Sequence, residues 1–258
     1  MSVLTFHIIT IFPNYFDGPF SHGIISQAQK KKKVSIQIHD LRGFTQDRHK
    51  TVDDRPFGGG EGMILKPEPI FRAVESICDS RSGVQRNVIL LSPQGRKLNQ
   101  EVAFELSMHS QMMLICGRYE GVDERVREYL TDDEISIGDY VLSGGELAAC
   151  VLIDSVTRLV PGVLNKDDST LNESFVRRNL GSGSSQGYTI LDYPQYTRPE
   201  NFQGLKVPEL LLSGDHQKIH LWRRKKALEK TLKNRPDLLQ YSHISEADKR
   251  LLELKLEP

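Results

Sequence analysis

Gly117-Arg-Tyr-Glu-Gly121 and Ile137-Gly-Asp-Tyr-Val-Leu-Ser-Gly-Gly-Glu146 are two glycine-bearing segments, and each closes an apolar run typical of a buried strand. Glycine at a strand end lets bare backbone approach a ligand closely. A third strand end, Ser92-Pro93-Gln94-Gly95, has the same polar, glycine-containing character. Because parallel strands end at one edge of a sheet, these segments together predict a ligand crevice at the carboxyl edge.

Apolar runs alternate with segments of helical spacing through Leu159, and Asp47–Met63, dense in charge, proline and glycine, is predicted to be a loop. Alternation of this kind predicts an α/β domain with a mostly parallel sheet covered on both faces. The predicted strands are Leu4–Phe12, Val34–Leu41, Asn87–Leu91 (ending at the turn Ser92–Gly95), Met112–Cys116 and Ile135–Leu142. The predicted helices are Phe20–Lys33, Pro69–Cys78, Gln100–Met108, Asp123–Leu130 and Glu146–Leu159.

The character of the chain changes after Pro161-Gly162. Asn165–Gly187 contains few apolar residues and is typical of a connecting segment. The remainder has helical spacing, with helices predicted at Asp215–Lys233 and Ser245–Leu254. We therefore expect a main domain at residues 1–164, a flexible linker at 165–190 and a small all-α domain at 191–258.

Composition excludes several classes of protein. The chain has 258 residues, and its 34 basic and 34 acidic side chains give a formal net charge of zero, which leaves RNA binding to local patches. Three cysteines, Cys78, Cys116 and Cys150, lack Cys-x-x-Cys spacing, so neither a zinc site nor a disulfide framework is expected. No apolar run is long enough to span a membrane, and the first residues do not resemble a signal peptide. A cytoplasmic protein is expected.

Three weaker patterns leave alternatives open. Gly183-Ser-Ser185-Gln-Gly187 matches the Gly-x-Ser-x-Gly pattern of hydrolases, but no strand precedes it. His216 and His220 have the i, i+4 spacing of a metal pair without the intervening glutamate of His-Glu-x-x-His. The basic helix around them, with Trp222 and Arg223–Lys226, is equally consistent with phosphate steering and with a solvated face.

The loop Pro56–Met63 is consistent with either a hinge or a lid that closes over a substrate. Lys30–Lys33 is interpreted as a solvated helix end. Arg158 lies near the end of an apolar helix, where a charge usually faces solvent or the helix dipole. Neither Gly-x-Gly-x-x-Gly after a strand nor Gly-x-x-x-x-Gly-Lys-Ser/Thr is present, so dinucleotide and triphosphate sites have no direct support.

Taken together and in order, the longer motifs resemble the bacterial tRNA (guanine-N1)-methyltransferases of the SPOUT class, the TrmD family. The resemblance covers nearly the whole chain and rests on Asp54-Arg-Pro-Phe-Gly-Gly-Gly60, Leu91-Ser-Pro-Gln-Gly-Arg96, Cys116-Gly-Arg-Tyr-Glu-Gly121, Ser136-Ile-Gly-Asp-Tyr-Val-Leu142 with Gly144-Gly145-Glu146, and Asp192-Tyr-Pro-Gln-Tyr-Thr-Arg-Pro199. It implies a C-terminal trefoil knot in the α/β domain, a feature that periodicity alone could not predict because knots are nearly absent from proteins.

The resemblance further implies a homodimer with its active site at the subunit interface, and methyl transfer from S-adenosylmethionine to N1 of guanosine 37 in tRNA. The donor-binding residues that it implies are Pro93, Gly117, Tyr119, Glu120, Gly121, Ser136, Ile137, Gly138, Asp139, Tyr140, Val141, Leu142, Gly144 and Gly145. It also raises magnesium as a cofactor, with Glu120 as the candidate carboxylate.

Two catalytic residues follow from the same resemblance. Arg158 ends the motif Asp-Ser-Val-x-Arg and would stabilise charge on guanine O6, and Glu173 would be the general base. The family has an aspartate at the Glu173 position, so Asp167 or Asp168 is the alternative base. Val176–Thr189 is longer than the link usual in the family, and Phe57 replaces a tyrosine.

These departures motivate an alternative from another class, a non-catalytic tRNA-binding protein that keeps the fold. A serine hydrolase acting through Ser185 is the third hypothesis.

Overall fold

The computed structural model describes residues 3–77, 87–164, 173–175, 190–241 and 245–253. The chain divides into two compact units, Met1–Asn165 and Lys166–Pro258. Cys78, Asp167, Asp168 and the segment Val176–Thr189, which includes Ser185, lie outside the described residues. The roles assigned to residues 1–164, 165–190 and 191–258 stay predictions.

A five-stranded sheet forms the centre of the first unit, and every pairing within it is parallel. Its strand order is β2-β1-β6-β5-β7, and the short pair β3-β4 is antiparallel and separate. The strands are β1 (Leu4–Thr10), β2 (Val34–Asp40), β3 (Asp53–Asp54), β4 (Ile64–Leu65), β5 (Val88–Lys97), β6 (Gln111–Cys116) and β7 (Asp133–Ser136). The predicted parallel α/β architecture is therefore confirmed.

Helices cover both faces of this sheet. Alternate residues of β1 belong to different cores: Phe6 and Ile8 pack with α1, α3 and α5, whereas Ile9 packs with α2 and α4. The helices are α1 (Gly23–Lys30), α2 (Pro67–Ile77), α3 (Gln100–Ser107), α4 (Glu124–Tyr129) and α5 (Glu146–Thr157), with 3-10 turns at Pro13–Phe16 and Leu41–Phe44. Because both faces are covered, the central strands are apolar along nearly their whole length.

Two predicted boundaries are wrong, and both lie at the carboxyl edge of the sheet. β5 does not end before Ser92, but continues to Lys97 after a register shift against β7 between Leu91 and Arg96. β7 ends at Ser136, and the mostly apolar segment Ile137–Leu142 forms bends and irregular backbone instead of a strand. Apolar periodicity cannot distinguish a buried strand from an apolar loop that lines a pocket.

The second unit contains four helices and a short hairpin among its described residues. Its elements are β8 (Asn201–Phe202), β9 (Leu205–Lys206), α6 (Glu209–Leu212), α7 (His216–Asn234), α8 (Pro236–Tyr241) and α9 (Glu246–Glu253). Ile190, Ala227 and Leu228 form its buried cluster. The hairpin is missing from the prediction of an all-α domain, because strands of two residues carry no detectable period.

The longest helix, α7, is positioned by two polar contacts. Asp215 caps its first turn by accepting a hydrogen bond from the Lys218 backbone N–H at 3.1 Å. Arg224 donates twice to the Asp248 carboxylate of α9, at 2.9 Å each. Among the described residues, no helix is both long enough and apolar enough to cross a membrane.

Candidate functional site

A pocket of about 290 Å³ lies at the carboxyl edge of the sheet, beside the ends of β6 and β7 and the irregular part of β5 that lies between these strands. This volume is close to the lower bound of about 300 Å³ typical of small-molecule sites. Its walls come from this part of β5, from the segments that follow β6 and β7, and from the start of α5. The pocket therefore occupies the edge at which the three glycine-containing strand ends predict a crevice.

The first wall is the tight turn after β6. The Gly121 N–H donates to the Arg118 carbonyl at 2.9 Å, which closes the turn. Tyr119 has a φ of 60°, in the left-handed region that costs a non-glycine residue about 1–3 kcal/mol. The turn thus holds Tyr119 and Glu120 exposed at the pocket surface.

The second wall follows β7 and folds back upon itself. The Ser136 hydroxyl donates to the Gly138 carbonyl at 3.0 Å and accepts from the Gly138 N–H at 3.2 Å. Tyr140 donates its hydroxyl to the Ile137 carbonyl at 3.2 Å. A Cβ at Gly138 would lie 2.5 Å from the Tyr140 ring, so only glycine allows this fold. These local bonds replace the strand pairing that the sequence predicts here.

Gly145 brings the two walls into contact. Its N–H donates to the Gly117 carbonyl at 2.9 Å, immediately before α5 begins. A Cβ at Gly145 would stand 2.8 Å from the Cα of Cys116. Since its φ of −79° is available to any residue, this glycine is required by the close approach of the two backbones and not by conformation.

An ion pair also crosses between the walls. The Arg118 Nε donates to the Glu146 carboxylate at 2.9 Å, and the Thr10 hydroxyl donates to its other oxygen at 2.7 Å. Arg118 lines the pocket, and its guanidinium lies 4.7 Å from the centre of the Phe12 ring. Neither Arg118 nor Glu146 is among the predicted site residues. In the sequence, only the presence of a charged residue inside each glycine motif indicates this ion pair.

The third wall is the irregular part of β5, with Ser92, Pro93 and Gln94 in the pocket lining. Beside the pocket, the glycine-rich loop 56–63 is joined to the first wall. The Glu120 N–H donates to the Met63 carbonyl, and the Leu65 N–H donates to the Gly121 carbonyl, both at 3.0 Å.

At the far side of that loop, the Phe57 side chain is fully exposed, with a relative exposure of 102%. The loop 56–63 is thus bonded to the first wall at Met63 and exposed at Phe57, and both interpretations of it, a hinge and a lid, stay predictions.

The structure places thirteen of the fourteen predicted donor-binding residues in the pocket lining, and the exception is Asp139. The Asp139 side chain is 77% exposed and pairs with Lys97 at 2.5 Å, outside the lining. The pocket also contains polar residues that the sequence-based prediction omits: Ser92, Gln94, Arg118, Glu124, Arg127, Glu134 and Ser143. Whether these side chains bind a ligand is a separate question, taken up below as a proposal.

The two predicted catalytic residues do not lie in the pocket lining. Arg158 caps the C-terminus of α5, whereas Glu146 at the start of the same helix adjoins the pocket. Glu173 belongs to the second unit, in a described segment of three residues, 173–175.

Two hydrogen bonds hold the segment 173–175 against the start of residues 190–241. The Phe175 N–H donates to the Ile190 carbonyl at 3.1 Å, and the Asp192 N–H donates to the Ser174 hydroxyl at 3.0 Å. Arg235 lies over the Phe175 ring, 5.9 Å from its centre. Glu173 is thus carried by a segment ordered against the second unit.

Thiol chemistry is not supported at this site. Burial, followed by the nearby Glu146 carboxylate, raises the pKa of Cys116 well above its usual range and that of Cys150 to about 11. Both thiols therefore stay protonated near neutral pH and are poor nucleophiles. Cys116 is buried, as expected for a small apolar side chain, and Cys150 is half-buried.

No group of three or more histidine, cysteine, aspartate or glutamate side chains suited to a metal ion occurs among the described residues. Glu120 is exposed in the pocket lining, but it does not belong to such a group. Magnesium therefore stays a prediction, and among the described residues the His216–His220 pair has no third ligand of these types.

Some basic side chains of α7 are buried or held in an ion pair, whereas others are exposed. Trp222 and Lys225 are buried, and Arg224 is held by Asp248, so these three do not form a phosphate-binding face. Phosphate steering, one of the two interpretations of the run Trp222–Lys226, is therefore limited to side chains other than these three. Arg223, whose guanidinium lies 5.0 Å from the centre of the Tyr193 ring, is exposed and remains available.

Comparison with known proteins identifies the group to which this chain is similar. The profile of the family described as "tRNA (Guanine-1)-methyltransferase TrmD" matches residues 4–241. A relative from Koribacter versatilis, named tRNA (guanine-N(1)-)-methyltransferase, is 54% identical over 95% of this chain and 96% of its own length. Relatives with the same name from Dictyoglomus turgidum and Geobacillus kaustophilus are 53% and 50% identical, covering 97% and 95% of this chain and 96% and 95% of their own lengths. The chain therefore belongs to the tRNA (guanine-1)-methyltransferase TrmD family.

Proposed function

We propose that this protein transfers a methyl group from S-adenosylmethionine to N1 of guanosine 37 in tRNA. The observation that carries the proposal is the pocket built from the irregular part of β5 and the motifs that follow β6 and β7. Relatives about 50% identical over nearly their whole length are named tRNA (guanine-N(1)-)-methyltransferase. Identity at this level over nearly the whole chain supports the same chemistry here.

The pocket lining suits the donor better than it suits a polyphosphate. Its walls combine glycine backbone at Gly117, Gly138 and Gly144 with apolar side chains such as Leu91 and Ile135. Backbone amides and carbonyls can hydrogen-bond an adenine edge and a ribose, and apolar side chains can pack against the purine. We therefore assign S-adenosylmethionine to this pocket.

S-adenosylmethionine supplies both the methyl group and a sulfonium leaving group. The protein has two remaining tasks, to align the guanine and to accept the N1 proton as the N1–methyl bond forms. We assign proton acceptance to the Glu173 carboxylate and stabilisation of the negative charge developing on guanine O6 to the Arg158 guanidinium. The products are N1-methylguanosine in tRNA, S-adenosylhomocysteine and a proton on the carboxylate, and no step is assigned to magnesium.

A second copy of the chain completes the site in this proposal. Arg158 follows Glu146 by twelve residues along α5, which at 1.5 Å per residue is about 18 Å. This separation favours an arrangement in which the partner's arginine reaches the pocket. An apolar surface suited to self-association is also present: Phe104 of α3, Met108 at the C-terminal cap of α3, and Leu147 and Val151 of α5 are exposed, by 74% in the case of Met108.

The remaining assignments follow the family. We propose that the second unit contacts tRNA through its exposed basic side chains, such as Arg223 and Lys230 of α7. We also propose a SPOUT trefoil knot in the first unit and action in the cytoplasm, where tRNA is modified.

The experiment that tests the proposal combines the purified protein, methyl-labelled S-adenosylmethionine and a tRNA transcript with guanosine at positions 36 and 37. Label is expected in the tRNA and is expected to disappear when guanosine 37 is replaced. Donor and tRNA binding without any product would instead support the non-catalytic alternative.

A further inference from the structure

We propose that Glu146 is a positioning residue for the donor pocket: it fixes Arg118, and Arg118 in turn holds the loop after β7 against the loop after β6. The inference rests on the proposed function, because it concerns the pocket to which S-adenosylmethionine is assigned. Glu146 is absent from the pocket lining, so it acts through Arg118 and not by touching the donor.

The burial of Glu146 is the first observation. Its side chain is only 1% exposed, and Arg118, its partner, is 16% exposed. A carboxylate removed from water in this way is costly unless charge and hydrogen bonds compensate for the lost solvation. Arg118 and Thr10 supply both, each to a different carboxylate oxygen. The arrangement therefore leaves the carboxylate one well-defined orientation.

The contacts of Arg118 show what that orientation achieves. Its Nη1 donates to the Ser143 carbonyl at 3.0 Å, so a side chain from the first wall holds backbone of the second. A short antiparallel bridge pairs Arg118 with Gly144, and any Cβ at Gly144 would overlap the Arg118 side chain. One guanidinium thus connects the buried carboxylate to the segment Ser143–Gly144, which lines the pocket.

A simpler role for Glu146 is that of an acidic residue in the first turn of α5, where the helix dipole favours negative charge. That role requires no specific partner and predicts a loss of stability only. The three-part contact Thr10–Glu146–Arg118 predicts something further, a loss of donor affinity that depends on Arg118 being present.

A double-mutant cycle separates the two roles. The four proteins are wild type, Glu146→Gln, Arg118→Gln and the double variant, and the readout is S-adenosylmethionine affinity by titration calorimetry on folded protein. Each single variant is expected to bind about tenfold to hundredfold more weakly, because a charge-assisted hydrogen bond is lost. The double variant should bind no more weakly than the weaker single variant. Glu75→Gln, on the exposed face of α2, is the matched control and should bind like wild type.

A second pair of variants keeps the test decisive if Glu146→Gln fails to fold. Thr10 lies outside the pocket lining. Thr10→Val removes the hydrogen bond that its hydroxyl donates to Glu146 and the one that it accepts from the Phe12 N–H at 3.0 Å, whereas Thr10→Ser retains both. Thr10→Val should raise the KM for the donor severalfold with little change in kcat, and Thr10→Ser should restore the wild-type value.

The positioning role would be overturned if the losses of donor affinity in the two single variants multiplied in the double variant. Equal donor KM values for Thr10→Val and Thr10→Ser would also overturn it. Wild-type protein that fails to bind S-adenosylmethionine at all would instead overturn the proposed function.

Discussion

Glu146 and Arg158 stand at opposite ends of α5, with Glu146 beside the pocket and Arg158 at the C-terminal cap. In a straight helix the Cα atoms of these two residues are about 18 Å apart. This separation favours the proposed arrangement, in which Arg158 acts on a guanine beside the donor of a second subunit.

Mixed dimers test this arrangement. One protomer carries Arg158→Ala, and the other carries Gly138→Val, which places side-chain atoms against the Tyr140 ring. Each homodimer should be inactive, but the mixed dimer combines one intact pocket with an intact Arg158 from the other subunit. We expect it to recover about half of the wild-type activity, measured on tandem-purified mixed dimers. An arginine acting within its own subunit would leave the mixed dimer as inactive as its parents.

Gly145→Ala tests the close approach of the two walls. The added Cβ meets the Cα of Cys116 at 2.8 Å, and relieving this overlap requires the backbones to separate. Overpacking of this kind costs about 1–3 kcal/mol, and we expect lower donor affinity together with a lower melting temperature. Gly43→Ala is the control, since no atom lies within 4 Å of a Cβ there. Equal behaviour of the two variants would show that the walls have room to move.

Glu173→Gln tests the proposed base. The amide keeps the size of the side chain but cannot accept the N1 proton, so turnover should fall by about 100-fold or more while donor binding is unchanged. Glu173→Asp restores the residue usual in the family and should retain activity. The measurement is single-turnover methylation with saturating donor. Activity that survives Glu173→Gln and is lost in Asp168→Asn would transfer the base to Asp168.

Stability is expected to decrease below neutral pH because of His7 and His39. The His7 Nδ1 lies 3.0 Å from the His39 Nε2, which requires one ring nitrogen to donate and the other to accept. Burial, followed by the charge of His39, lowers the pKa of His7 from 6.5 to about 4, and burial lowers the pKa of His39.

Since the unfolded chain binds protons to these rings more readily, their contribution is complete above pH 6.5 and is lost as the pH falls toward 4. We expect a loss on the order of 1 kcal/mol between pH 7 and 5, allowing for screening by solvent. Urea unfolding of wild type and His39→Gln at both pH values checks this: the variant should depend less on pH. Parallel pH dependences would contradict the assignment to this pair.

Much of the fold could be predicted from the sequence, because strands buried on both faces leave long apolar runs such as Met112–Cys116. The errors lie where the same apolar signal has another cause. Ile137–Leu142 is apolar because it lines a pocket, and β5 passes Pro93 by means of a register shift that no local rule predicts.

The candidate site, like the fold, could be predicted from the sequence only in part. Residues that the motif resemblance indicates, such as Gly138 and Gly145, lie in the pocket lining, because each position is local to one loop. The Arg118–Glu146 pair could not be predicted, since it depends on how two loops from separate strands meet. Asp139, predicted from its place inside a motif, lies outside the lining and pairs with Lys97, because neighbouring loop residues point in different directions. The roles of these residues in donor binding stay a proposal.

We propose above that the pocket beside β5, β6 and β7 serves methyl transfer to one atom of one nucleotide. Mass spectrometry of nuclease-digested tRNA after reaction with methyl-labelled S-adenosylmethionine tests this most directly. We expect a single N1-methylguanosine at position 37 and no product when Gly138→Val disrupts the pocket. Methyl transfer that persists undiminished after guanosine 37 is replaced, or label found on another atom, would contradict it.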